Sequence, residues 1–366
     1  MKNKLNLALI FGGRSGEHEV SLMSASSVLA ILDTRKYNIY QVGITRQGKW
    51  FYGTNALEAF KKNDLSTLNQ SLFKPEPGEP FLYIVNNGQL QPLARIDVVL
   101  PILHGSYGED GTLQGLLELI DVAYVGAGVS GSAVGMDKGI FKHVMQAMGI
   151  PTLPFTVMHR EQILTDLPTM IAQAESVAPY PLFTKPANLG SSVGILKCRN
   201  RSELQEGLLE AARFDRRVVI EKGVSAREIE ISVLGNEDPI ASLPGEVIPK
   251  DSFYTYEDKY VHGVAELIIP AQLSPVVIGE IQKFAVMAYK AVDCAGMARV
   301  DFFIDKETGK LYLNELNTIP GFTSISMYPK LWEASGITYA ELIEKLIELA
   351  FMRKQQRNAT IREYKA

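Results

Sequence analysis

The stretch LNLALIFGGRSGEHEVSLMSASSVLAILDTRKYNIYQVGIT, residues 5–45, decides the fold class. LNLALIF is a short apolar run, as a strand covered on both faces requires. Gly12 and Gly13 turn the chain, a helical pattern runs over about 19–32, and YNIYQVGIT forms the next strand. Strand, glycine turn, helix, strand is the opening of a parallel α/β sheet. Outward from it, IDVVLPIL (residues 96–103) is a second all-apolar strand that ends at His104-Gly105. FLYIVNNGQLQPL carries Asn87-Gly88 between β-prone runs, a hairpin signal. Residues 54–78 are polar, contain Pro and Gly, and read as irregular. A helix is expected over 112–119, a strand in VAYVG, and a helix over 137–148 with Asp137 as its cap. The next segment reads strand (PFTVM), helix (161–176), strand (PLFTKP), loop (ANLGSS), strand (VGILKC), helix (202–213), strand (RRVVIEKG). The last opens with EIEISVLG and IASLPGEVIP and passes through the polar, aromatic DSFYTYEDKYVHG. LIIPA, a long helix over 274–292, the strands MARVDFFI and KLYLNEL, and a helix over 338–352 complete it. The tail after Arg353 is charged and reads as frayed.

Composition removes whole classes of function. The chain has 366 residues, enough for two or three domains. Lys+Arg 37 against Asp+Glu 41 leaves a net charge of −4, without the basic surplus of a nucleic-acid binder. Two cysteines, Cys198 and Cys294, exclude a disulfide scaffold and a cysteine-rich zinc site. The five histidines form no HExxH pair. No apolar run approaches the roughly 18 residues needed to span a bilayer. The first eleven residues faintly resemble a signal peptide, but the apolar part is short, contains Asn6 and lacks a small-residue cleavage site. It reads as the first buried strand of a cytoplasmic protein. GAGVSG (Gly126, Gly128, Gly131) fits a dinucleotide fingerprint, yet no acid follows about 20 residues later, so it reads as a packing turn. GSSVG fits a hydrolase elbow around Ser192, but a strand follows where that elbow needs a helix. No GxxxxGK[ST] is present.

Three patterns carry chemistry. A Gly-Ser-Ser loop offers backbone N–H groups and hydroxyls without bulk and can fold over phosphates. Lys185 stands in the apolar run just before it, where an exposed lysine would be odd, and Lys138 opens a helix in the same segment. Two lysines beside a donor-rich loop suit a polyphosphate. In RVDFFIDKETGKLYLNELN, Asp301 alternates with apolar residues, and Glu315 and Asn317 lie two apart on the next strand, hence on one side. A turn at 307–310 can bring all three together as hard oxygen ligands for Mg²⁺. EKGVSAREIE places Glu221 at a strand end and Glu228 just beyond, a pattern able to seat an adenine and grip a ribose.

Taken together, GGRSGEHEVSL, LHGSYGEDGTLQG, GMDK, FTKPANLGSSVG, EKGVSAREIE, YTYEDKY, GMARVDFF and NELNTIPGFTSISMYP resemble the D-alanine–D-alanine ligase family of the ATP-grasp superfamily. The resemblance covers nearly the whole chain. It implies an α/β protein in which a Rossmann-like parallel-sheet domain (1–136) precedes a two-domain ATP-grasp fold (137–222 and 223–366). It also implies two half-reactions: ATP phosphorylates one D-alanine, and the amine of a second attacks the acyl phosphate. The dipeptide then serves peptidoglycan precursors.

By position, Glu17 matches the anchor of the first D-alanine's ammonium, and His104 lines that subsite. Lys138 and Lys185 match the phosphate lysines. Glu221, Lys222 and Val224 match the adenine seat, and Glu228 the ribose acid. Ser191 matches the serine bonded to Glu17 and Tyr260. Asp301, Glu315 and Asn317 match the ligands of two Mg²⁺ or Mn²⁺ ions. Arg299 and the Gly321 N–H match the oxyanion donors. Lys259, Ser326 and Met327 match the site of the second carboxylate and the transferred phosphoryl group. DSFYTYEDKYVHG matches a lid, and Tyr260 within it favours amide over ester formation. The family resemblance further implies a homodimer whose partners are D-alanine and ATP, with neither nucleic acid nor membrane. The alternatives are a D-alanine–D-lactate ligase and a non-catalytic ATP-binding module. The intact Asp301, Glu315, Asn317 and Arg299 set argues against the module.

Overall fold

The computed structural model describes residues 4–248, 266–323 and 325–361. It contains three sheets. The first has eight strands: β1 (Leu5–Gly12), β2 (Tyr37–Ile44), β3 (Trp50–Tyr52), β4 (Asn69–Phe73), β5 (Phe81–Asn86), β6 (Gln89–Arg95), β7 (Val98–Ile102) and β8 (Ala123–Tyr124). Their order is β6-β5-β4-β3-β2-β1-β7-β8. The β1 strand pairs in parallel with β2 and β7, and β7 with β8, as helical crossovers require. Between β1 and β2 the crossover is the helix His18–Ile31; between β7 and β8 it is Thr112–Leu119. Leu7 to Phe11 are fully buried because helices cover both faces of this strand.

The expected hairpin forms β5 and β6, and Asn87 and Gly88 at its tip take positive φ, as a tight turn of this kind demands. Residues 54–78, expected to be irregular, instead hold the helix Ala56–Lys61 and β4, which extend the sheet. The apolar signal there is thin, but Ala56, Leu57, Ala59 and Phe60 are all buried.

The second sheet has four antiparallel strands in the order β11-β10-β12-β9. They are β9 (Phe155–His159), β10 (Leu182–Pro186), β11 (Leu196–Cys198) and β12 (Arg217–Lys222). The single helix expected over 161–176 is two, Arg160–Thr165 and Leu167–Glu175. Asp166 breaks it by capping the second piece through the Thr169 N–H, with Pro168 in the first turn.

The third sheet runs β16-β15-β13-β17-β18, with β14 beside β13. Its strands are β13 (Ala226–Gly235), β14 (Ile240–Ala241), β15 (Gly245–Ile248), β16 (Glu266–Ile268), β17 (Gly296–Asp305) and β18 (Leu311–Asn317). Ile229, Ile231, Val233, Ala298, Val300 and Phe302 face the helix Pro275–Ala291 and form one core. The alternate residues face the other way, toward the cleft described below.

The last helix, Tyr339–Asn358, does not end at Arg353. Leu342, Ile343, Leu346 and Ile347 join Leu7, Leu9 and Phe11 of β1 in a single core. Beyond them, Arg353 lies 4.1 Å from the Tyr124 ring centre, and Arg357 pairs with Glu118 and Asp121. The tail read as frayed is therefore held by charges that sequence order alone does not bring together. GAGVSG turns the chain at Gly126 and then opens the helix Val129–Met136, which the sequence did not suggest; a Cβ on Gly131 within it would stand 2.8 Å from the Asp293 carbonyl oxygen, so this glycine serves packing. Among the described residues, no helix is long and apolar enough to cross a membrane.

Candidate active site

One cleft gathers side chains from all three sheets: Glu17, His104, Glu109, Lys138, Ser191, Arg299, Glu315, Asn317 and Gly321 line it. Glu17 stands at the N-cap of the helix His18–Ile31, at the mouth of the glycine turn after β1. The Ser191 hydroxyl, on the loop between β10 and β11, donates to Glu17 Oε1. Two glycines flank this carboxylate closely, and a side chain at either would displace it; Gly105 also takes a positive φ that favours glycine. A Cβ on Gly105 would meet Glu17 Oε2 at 2.5 Å, and one on Gly190 would meet it at 2.6 Å.

His104 follows β7 and is buried. Its Nδ1 lies 3.0 Å from the Ile319 carbonyl oxygen, which can only accept, so Nδ1 carries the proton. Desolvation pushes the imidazole pKa down and keeps it neutral, leaving Nε2 to accept from Ser24 Oγ at 3.0 Å. The Phe322 N–H in turn donates to Ser24 Oγ at 3.3 Å. Glu109, which the sequence did not single out, ties the same two regions. Its carboxyl accepts the Gly105 N–H at 2.7 Å and the Ile319 N–H at 3.0 Å. Burial, then the nearby Glu17 charge, push its pKa up to about 8. The loop after β18 that carries Gly321 is thus fastened to the N-terminal sheet by three side chains.

On the open face of the third sheet, Glu230, Asp301 and Glu315 sit side by side across β13, β17 and β18. Arg299 and Asn317 are likewise opposite each other, and a bulge between Asp301 and Phe302 lies at this point. Arg299 reaches both Asp301 oxygens at 2.7 Å and Glu230 at 3.0 Å; Asn317 Nδ2 lies 3.2 Å from Asp301 Oδ2. Two carboxylates and an amide oxygen are hard donors, and they fit Mg²⁺ or Mn²⁺. The guanidinium now supplies the positive charge at Asp301. Among the described residues no group of three acidic, histidine or cysteine side chains is arranged to hold a metal ion by itself.

In the second sheet Lys185, on β10, and Lys142, on the helix Lys138–Ala147, each donate to one oxygen of Glu221 on β12. Asp137 caps that helix through the Ile140 N–H at 2.9 Å and also pairs with Arg217 and Asn188, fixing Lys138 beside the Gly-Ser-Ser loop. Lys138 Nζ donates to the Leu189 carbonyl at 2.5 Å. Lys222 and Val224 are half-buried after Glu221, and Glu228 shares the open face of β13 with Glu230. Ser326 caps the helix Met327–Ala334, and its hydroxyl lies 2.8 Å from where a Cβ on Gly321 would stand. Lys259 and Tyr260, with the whole expected lid, lie outside the described residues.

Residues 6–127 match the family model described as D-ala D-ala ligase N-terminus, and residues 144–348 match D-ala D-ala ligase C-terminus. The D-alanine–D-alanine ligase of Heliobacterium modesticaldum is 46% identical, with 98% of each chain covered. That of Thermoanaerobacter sp. is 50% identical over 95% of this chain and 96% of its own. Among solved structures, the D-alanine–D-alanine ligase from Coxiella burnetii superimposes with a TM-score of 0.82 at 36% identity, over 97% of this chain and 96% of that one. The VanG D-Ala:D-Ser ligase from Enterococcus faecalis reaches 0.84 at 34% identity, over 95% of this chain and 100% of that one. With both family models matched and relatives this similar over their whole length, the chain belongs to the D-alanine–D-alanine ligase family.

Proposed function

We propose that this protein joins two D-alanines into D-alanyl-D-alanine at the expense of ATP, through a D-alanyl phosphate, for peptidoglycan precursors. The observation that carries the reading is the convergence of Glu17, His104, Ser191, Arg299, Glu315, Asn317 and Gly321 on one cleft. Glu17 holds the ammonium of the first D-alanine; it is a half-buried carboxylate in the cleft, suited to pair with a cation. Ser191 fixes the Glu17 rotamer, and neutral His104 shapes the same subsite. Lys138 and Lys185 take the ATP phosphates; Lys222, Val224 and the backbone at Glu221 take the adenine, since both Glu221 carboxylate oxygens are held by lysines, and Glu228 takes the ribose. Arg299 and the Gly321 N–H are donors aimed where the tetrahedral oxyanion develops. Ser326, the Met327 N–H at a helix N-terminus and Lys259 receive the second carboxylate and the transferred phosphoryl group.

Asp301, Glu315 and Asn317 would hold two Mg²⁺ or Mn²⁺ ions, which when bound neutralise the charge on the phosphates. Tyr260 closes the hydrogen-bonded set of Glu17 and Ser191 under a lid that excludes water from the acyl phosphate. Domains at 1–136, 137–222 and 223–366, a cytoplasmic homodimer, and D-alanine and ATP as its small-molecule partners complete the reading.

The fold does not set the second substrate, since a D-Ala:D-Ser ligase superimposes as well as a D-alanine–D-alanine ligase. Tyr260 favours amide over ester formation, hence D-alanine over D-lactate, and the curated relatives are D-alanine–D-alanine ligases. The test is phosphate release from ATP with D-alanine alone, L-alanine alone, and D-alanine mixed with D-lactate or D-serine, with products identified by mass. D-alanyl-D-alanine from D-alanine alone is expected. No phosphate release with D-alanine would refute the ligase reading, and preferential ester or D-serine product would replace the second substrate.

A further inference from the structure

Lys142, Glu221 and Lys185 form a buried triad. Lys142 and Glu221 are each 1% exposed and Lys185 is 9% exposed. The two ammonium groups take one carboxylate oxygen each. Within the triad the balance is 2 − 1 = +1, largely held away from water, and Glu315 is a further acid acting on Lys142. A buried charge persists only with a partner, so the surplus asks for an anion. Lys185 is the member that reaches the accessible side. Lys142 is walled in beneath the Phe155 ring, with its Nζ 5.8 Å from the ring centre, and cannot reach a ligand in the same way.

If Lys185 turns to a phosphate, it leaves Glu221. With Lys142 in place, Glu221 still has a cation on its other oxygen. Without it, a buried carboxylate would be stranded, and Lys185 would be withheld from the nucleotide. We propose that Lys142 is a positioning residue for ATP: by staying on Glu221 it releases Lys185 to the nucleotide phosphates. This rests on the reading that Lys185 binds those phosphates.

The experiment compares ATP with adenosine, which lacks the phosphates, by titration calorimetry on the full chain with Mg²⁺ and no D-alanine. Lys142→Met should weaken ATP about tenfold or more, the loss expected of one charge-assisted contact. Adenosine should stay within about twofold, the ordinary limit of additivity. Lys142→Gln, which keeps a hydrogen bond to Glu221 but drops the charge, should behave the same way and serves if the Met variant does not fold. In a Lys185→Met background, Lys142→Met should add no further ATP-specific loss. Equal weakening of ATP and adenosine would reduce Lys142 to a brace and overturn the proposal. A full additional loss in the Lys185→Met background would overturn it too, because Lys142 would then act on phosphate directly. Both outcomes leave the reading of Lys185 standing. That reading fails separately, and takes the proposal with it, if Lys185→Met alone weakens ATP no more than adenosine.

Discussion

Glu109 keeps its proton at neutral pH because the fold buries it near Glu17, although two backbone N–H groups favour the ionised form. Its ordinary pKa is near 4.5 and its folded value about 8. Between these, the unfolded chain has shed the proton that the native state retains, so stability falls as pH rises and levels off above about 8. Glu109→Gln removes this slope. The difference between wild-type and variant stability, read from urea unfolding at pH 5 to 9, should favour wild type less as pH climbs. A pH-independent difference would mean that Glu109 is ionised throughout. Neither Glu109 nor Lys142 was legible in the sequence. Each is a single charged residue whose meaning comes from partners remote in the chain: Ile319 for Glu109, Glu221 for Lys142. Glu17, Ser191 and the Asp301 group were legible because their motifs combine a chemical residue with the glycine or strand alternation that exposes it.

At the scale of elements, the β17–β18 hairpin brings the acids together by register alone. Asp301 faces Glu315 across the ladder, and the bulge beside them adds a residue that re-aims the strand. Period-two alternation makes the shared face of Glu315 and Asn317 readable from the residue order, but not the pairing with Asp301: the regular register would set Asp301 opposite Asn314, and the bulge shifts it to Glu315. Asp301→Asn or Glu315→Gln should lower turnover at least about a hundredfold, since a metal contact at a phosphoryl site is worth several kcal/mol. Far-UV circular dichroism should remain that of the parent. Near-normal activity with unchanged Mg²⁺ dependence would remove the metal assignment. Several elements escaped the sequence reading, the helices Val129–Met136 and Met327–Ala334 among them, and two did so for local reasons. Asp166 competes for the helix backbone and splits 161–176. The helix Ala56–Lys61 is too short to show a period, and only Phe60 and its neighbours packing inward hold it.

Across the whole molecule, the first strand and the last helix share one core, with Leu7, Leu9 and Phe11 against Leu342, Leu346 and Ile347. Leu346 is fully buried, so Leu346→Ala should cost about 2–5 kcal/mol. That loss should appear in a probe of the N-terminal sheet, such as the fluorescence of Trp50, at the same denaturant concentration as in far-UV circular dichroism. Separate transitions would show that the two ends do not stabilise each other. The arrangement also has a consequence for the protein's birth. A ribosome releases the N-terminus first, and a domain ordinarily folds as it emerges. Here the helices His18–Ile31 and Ala56–Lys61 cover only part of one sheet face, and the rest waits until the final helix is translated. A chain cut before residue 339 should therefore expose this apolar patch and aggregate more readily than the full chain.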